Sequence, residues 1–147
     1  MEFSAYGFTS NEIHFIEDIL NHEWAWNVNF YYNPKTKKIV IYKMLGKDID
    51  NKFKAHDIKL MGLSVCDRTN PKNIKIYFRK ENWDKIPKAS GYKNINLYRV
   101  YLILHEFGHA LGHGHEKCEG SGKPAHVMMQ QTLGTGLCYP DPWVIKN

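Results

Sequence analysis

Residues 105–115 read His-Glu-Phe-Gly-His-Ala-Leu-Gly-His-Gly-His, which places imidazoles, a carboxylate and a glycine at the offsets H-E-x-x-H-x-x-G-x-x-H. No other stretch constrains the fold as tightly. Residues four apart share one face of a helix, so His105 and His109 can both reach a single ion about 2.0–2.1 Å from their nitrogens. The preceding segment supports that helix. From Asn94 to Leu111 there is no proline and only Gly108 among glycines, and Ile95, Tyr98, Leu102 and the histidine pair recur at helical intervals. Gly112 fits the helix stop, because glycine takes positive φ with no Cβ to clash. Past that turn the chain can swing His115 back as a third ligand. Three protein ligands leave a fourth position open for water, which is the catalytic rather than the structural arrangement of zinc.

Glu106 points about 100° away from His105 on the helix, beside the ion rather than at it. A carboxylate there can take a proton from water that zinc has acidified to a pKa of about 7, and can pass it to a leaving amine. Imidazole and water also suit copper, nickel or cobalt, so one catalytic Zn2+ is an expectation from the motif. His113 is the competing third ligand: an unbroken helix would align it with His105 and His109. The Gly112 stop argues against that, and His113 is expected at the rim or hydrogen-bonded behind the ligands. The bland alternative is a histidine-rich helix end with no metal. His14 and His22 fall in an N-terminal helix as surface or packing residues, and His126 lies near enough to the motif to hydrogen-bond there.

The motif resembles the signature of the metzincin clan of zinc endopeptidases, and Ala125-His126-Val127-Met128-Met129-Gln130 is similar to the methionine turn of that clan. The resemblance implies Met128 as the floor residue beneath the metal, with Met129 as the alternative. Two adjacent methionines can also be flexible core filler. A closer likeness runs over residues 65–143, which resemble a group of uncharacterised, mostly secreted bacterial metzincin-like domains. It is carried by Val65-Cys66, the strand-like 74–78 run, the histidine helix, the Cys118–Cys138 loop and the ending Cys138-Tyr139-Pro140-Asp141-Pro142-Trp143. It implies an α+β zincin fold: a small mixed sheet with an N-terminal helix and an active-site helix, then a short loop-rich lower subdomain with the methionine turn. The chain is then one minimal catalytic domain, 1–147, with an upper part of about 1–112 and a lower part of about 113–147. Some features depart from the clan. Glu116 follows the third histidine as in the astacin branch, without the rest of that pattern. No tyrosine stands two residues after Met128, leaving Tyr139 or His113 as the nearest candidates to assist, and no cysteine-switch segment is visible. The tail after His115 is short, which predicts a shallow or loop-built cleft on that side.

The rest of the chain sets bounds. At 147 residues it forms one domain with a real core. No run of 18 apolar residues occurs, so no membrane span is expected. Met1-Glu2-Phe3-Ser4 lacks the basic start and apolar core of a signal peptide. Thr9 or Ser10 caps a first helix with Ile13, Ile16, Ile19 and Leu20 as its buried stripe. Residues 27–32 and 38–42 alternate around Asn33-Pro34 and predict a hairpin, with further strands over 58–65 and 74–78. Cys118 and Cys138 bracket the methionine-turn loop. A bridge between them would stabilise by about 3 kcal/mol through loop entropy and would favour a secreted or extracellular setting; two reduced thiols are the alternative. Cys66 is left over. The net charge of +5 comes from 17 Lys and 3 Arg. Lys35, Lys37, Lys38, Lys43, Lys47, Lys52, Lys54 and Lys59 form a basic stretch, but so few arginines count against nucleic-acid readout. The expected activity is hydrolysis of peptide bonds in a protein or peptide substrate by a monomer. A catalytically silent zinc-containing module that binds a protein or glycan partner is the alternative, and the intact Glu106 counts against it.

Overall fold

In the computed structural model, residues 1–53 and 62–146 are described. The chain is a mixed α/β structure of α+β type built on a five-stranded mixed sheet. Its elements are β1 (Glu2–Tyr6), α1 (Ser10–Leu20), β2 (Tyr31–Tyr32), β3 (Ile39–Met44), α2 (Gly46–Phe53), β4 (Val65–Asp67), β5 (Ile74–Arg79), α3 (Lys80–Asp84) and α4 (Ile95–Ala110), with 3₁₀ turns at Lys88–Ser90 and Gln131–Leu133. Strand order is β2-β1-β3-β5-β4. The first four pair in parallel and β4 joins β5 antiparallel, with Val65 opposite Tyr77 and Asp67 opposite Lys75. Among the described residues no helix is long and apolar enough to cross a membrane.

The hairpin expected over 27–42 does not form. β2 and β3 each pair with β1, which lies between them, and Asn33 N–H donates to the Phe3 carbonyl as the chain crosses over. Of the two alternating runs, 38–42 falls in β3 except for its first residue, whereas only Tyr31–Tyr32 of 27–32 is strand. The partner was missed because Met1-Glu2-Phe3-Ser4 carries no turn signal, and pairing with a distant N-terminal strand leaves no local mark. The strand expected over 58–65 is partly outside the described residues, and its described part is strand only from Val65.

The central strands are apolar runs because helices or loops cover both faces. Phe3, Ile39, Ile41, Ile74, Ile76 and Phe78 face Ile16 and Leu20 of α1 and Val100, Ile103, Leu104 and Phe107 of α4 in one core. The Phe107 ring packs edge-on against Phe3 and Phe30, with centroids 5.9 and 5.2 Å away. On the opposite sheet face α2 sets Ile49 and Phe53 on Tyr77. Only that i, i+4 pair marks α2 in a polar sequence, which is why it went unread.

Thr9 is the cap of α1. Its hydroxyl accepts from Glu12 N–H at 3.1 Å, and Glu12 Oε1 accepts from Thr9 N–H at 2.9 Å, closing a capping box. The same carboxylate accepts from Lys43 Nζ at 2.9 Å and from Trp83 Nε1 at 2.6 Å, tying α1 to β3 and α3. Partial burial would raise the Glu12 carboxyl, but the Thr9 N–H, the Lys43 ammonium and the Trp83 indole together hold it below the ordinary glutamate range. Because the folded value is the lower one, this stabilisation is complete above the unfolded-state value and fades as pH falls below about 4.3. Glu12→Gln should therefore cost about 2 kcal/mol at pH 7, and its gap to the wild type should narrow toward pH 3. Denaturant melts across that range measure it; a gap independent of pH would refute the charged role.

Candidate metal centre

The helix that carries the motif is buried nearly all round, so its faces are held by packing from every side. Asn94 caps it, its Oδ1 accepting from Asn96 and Leu97 N–H at 2.9 and 3.1 Å. Gly112 ends it at φ +100°. Gly112 N–H donates to the His109 carbonyl and His113 N–H to the Gly108 carbonyl, both at 2.9 Å, which is a complete Schellman closure. The chain then reverses, and Glu116 N–H donates to the Met128 carbonyl at 3.0 Å. This return brings His115 to the two helical histidines. The ligand atoms of His105, His109 and His115 lie within 4.8 Å of one another.

Hydrogen bonds fix which nitrogens converge. His105 Nδ1 lies 2.7 Å from the Val127 carbonyl and His109 Nδ1 lies 2.8 Å from the His113 carbonyl. A carbonyl can only accept, so both Nδ1 atoms carry hydrogen and both Nε2 lone pairs are free. His109 Nε2 stands 3.1 Å from His115 Nε2. Nitrogens around a tetrahedral zinc ion are separated by about 3.3 Å, so that spacing is close to a ligand edge. Burial moves all three imidazoles below the ordinary histidine range: His105 is pushed down to about 3, and His109 and His115 are lowered by the same cause. Glu106 is buried beside them, and its Oε2 has no hydrogen-bond partner among the described residues. Burial pushes its carboxyl up to about 8. An unpartnered buried carboxylate oxygen is costly. Its presence next to three converging imidazoles fits a site that takes a cation and a polar ligand.

His113 is not part of the cluster. Its ring stacks on Trp26 at 4.3 Å, and only its carbonyl serves the site, by orienting His109. His126 accepts from Met128 N–H at 3.0 Å and shapes the turn. Met128 is buried against α4 where the helix lacks a side chain: a Cβ on Gly108 would lie 2.5 Å from Met128 Sδ and 2.7 Å from Trp26 Cζ2. Trp26 Nε1 donates to the Leu104 carbonyl at 2.8 Å. Tyr139 is half exposed, pairs through its backbone with Lys123 and Ala125, and is not among the residues that line the cleft. Nothing local in the sequence marked Trp26, the buried Gln131 or the Val127 carbonyl as the partner of His105. The Gln131 side chain accepts from Tyr92 Oη at 2.6 Å and donates to the His126 and Asp141 carbonyls at 3.0 and 2.8 Å. This amide anchors the turn to both flanking segments.

A cleft of about 550 Å³ opens over the histidines. The edge strand contributes Val65 and Cys66 to its lining, with Arg68 just beyond the strand, and Tyr101, Leu102 and Thr132 also line it. Cys66 is a free thiol that burial pushes up to about 12. Cys118 and Cys138 are joined by a disulfide with Cα atoms 5.8 Å apart. After α4 the described chain has one 3₁₀ turn as its only helical element, so the bridge is a principal tie in that part. Replacing both cysteines by serine should cost about 3 kcal/mol, read as a lowered Tm that reductant no longer changes.

The fold and the cluster define an α+β protein with a three-histidine site able to hold a metal ion. The chain belongs to the family described as "Protein of unknown function (DUF3152)", whose model matches residues 4–137. No curated protein and no solved structure matches it.

Proposed function

We propose that this chain is a zinc-dependent endopeptidase of metzincin type, secreted or extracellular. The observation that carries the reading is the buried Glu106 carboxyl, its Oε2 without a partner among the described residues, beside three converging imidazoles at a cleft bounded by a sheet edge. His105, His109 and His115 would hold the ion. When bound, zinc supplies Lewis acidity, polarising the scissile carbonyl and lowering the pKa of water to about 7. Glu106 takes the proton of the attacking water and delivers it to the amine that leaves. Its burial keeps other donors away, so Oε2 stays available for that proton. A peptide added in extended form along β4 gains backbone hydrogen bonds and lies across the cleft. Met128 and the Val127 carbonyl support the site from the turn side. The disulfide fits an oxidising setting.

Zinc at about a thousand times its dissociation constant should stabilise the fold by ~4 kcal/mol, raising Tm by roughly 8–16 °C for a chain of this size. A chelator should reverse the rise, and His109→Ala should remove it. An unchanged Tm together with no bound zinc would sink the metal assignment. Cleavage of a denatured protein mixture by the zinc-loaded chain, with Glu106→Ala as control, tests the activity. Stoichiometric zinc without cleavage would favour the metal-containing binding module instead.

A further inference from the structure

The cleft is electrically lopsided. Arg68 follows the edge strand directly and is exposed at the end of the cleft where α4 stops. A Cβ built on Gly112 would lie 3.8 and 3.9 Å from Arg68 Nη1 and Nη2, so the guanidinium rests over the backbone of the helix stop. Among the described residues no carboxylate ion-pairs with it, and it is the only Lys or Arg lining the cleft. Arg79 shows what a structural arginine does in this fold: it is buried, pairs with Asp50 at 2.7 Å and donates to the Leu63 carbonyl. Arg68 does neither. The opposite end, with Tyr101, Leu102 and Thr132, carries no charged side chain.

We propose that Arg68 is a specificity residue that selects an acidic side chain next to the scissile bond. The inference rests on the peptidase reading. A guanidinium offers five donors in a rigid fork that matches a carboxylate in a bidentate way, and here it has no internal partner to compete. A bound cation would add to the same field, because imidazole ligands bring it no negative charge. In a peptide that runs antiparallel to β4 the residue facing Arg68 lies on the N-terminal side of the cleaved bond, because the strand's C-terminal end receives the peptide's N-terminal half. The Tyr101 end then takes an uncharged side chain on the other side. Arg68 is exposed, so the selection is modest: exposed ion pairs contribute up to about 1 kcal/mol, or roughly fivefold.

The test profiles cleavage of a proteome-derived peptide mixture by the zinc-loaded chain and by Arg68→Glu. Lys47→Glu serves as a control with the same change in net charge; Lys47 is exposed on α2 and does not line the cleft. Asp and Glu should be enriched about fivefold at one position N-terminal to the cut. Arg68→Glu should exchange that preference for Lys and Arg, while Lys47→Glu keeps the wild-type profile. An identical profile in wild type and Arg68→Glu overturns the proposal, as does an acidic preference on the C-terminal side. If no peptide is cleaved, the peptidase reading fails and Arg68 is judged by binding. Two fluorescent ten-residue peptides, differing only in Glu or Lys at every third position, are titrated against the zinc-loaded chain. Tighter binding of the Glu peptide that reverses in Arg68→Glu upholds the acidic selection; equal affinities, or no binding, overturn it.

Discussion

Glu106→Gln should abolish peptide hydrolysis while leaving zinc content and Tm at or above the wild-type values. The substitution keeps the shape of a side chain that is buried and whose Oε2 meets no donor. It removes only the ability to accept and release a proton. General acid–base catalysis of this kind contributes about 10²–10⁴-fold, so the rate should fall by about three orders of magnitude. Stability moves the other way, because the neutral amide is cheaper to bury than a carboxylate. The two readouts separate a catalytic from a structural role: a structural carboxylate would show loss of Tm together with loss of zinc. Full activity in Glu106→Gln would sink the mechanism.

Gly108→Ala should lower the stability of the fold, against what helix propensity predicts. In an open helix interior the change gains roughly 0.5–1 kcal/mol. Here the added Cβ would meet Met128 Sδ at 2.5 Å and Trp26 Cζ2 at 2.7 Å. Both side chains are held: Met128 is buried and Trp26 is fixed through its indole to the Leu104 carbonyl. Overpacking of this kind costs about 1–3 kcal/mol, so the net loss should be about 1–2 kcal/mol, with Gly108→Leu costing more. Because Gly108 sits between His105 and His109, the strain should also weaken zinc binding in the same variants. Thermal melts and zinc titrations of the Ala and Leu substitutions give the answer. A raised Tm in Gly108→Ala would show that the methionine and the tryptophan do not pin the helix.

The three-histidine cluster was legible because its rules are local. Spacing of four residues puts two imidazoles on one face, and a glycine able to take positive φ ends the helix. The Schellman closure at Gly112 and the separate stacking of His113 on Trp26 both follow from that stop. The capping box of α1 and the cysteine pair were equally legible, each resting on short sequence separation or on residue chemistry. Strand pairing was not. The 27–42 segment looked like a hairpin because alternation reports extended chain without naming its neighbour, and β1 took the place between β2 and β3.

By itself the sequence determined the donor residues, the carboxylate beside them and the turn that separates His115 from His113. Those depend on covalent spacing and on the conformational freedom of one glycine. Only the folded chain decided which nitrogens face inward: the Val127 carbonyl that fixes His105 comes from the methionine turn, and the His113 carbonyl meets His109 through the reversal at Gly112. It also decided that, among the described residues, Glu106 Oε2 is left without a partner and no carboxylate pairs with Arg68 beside the helix end, and that β4 lines the cleft. Each of these is a matter of burial and long-range contact, which a linear pattern does not encode.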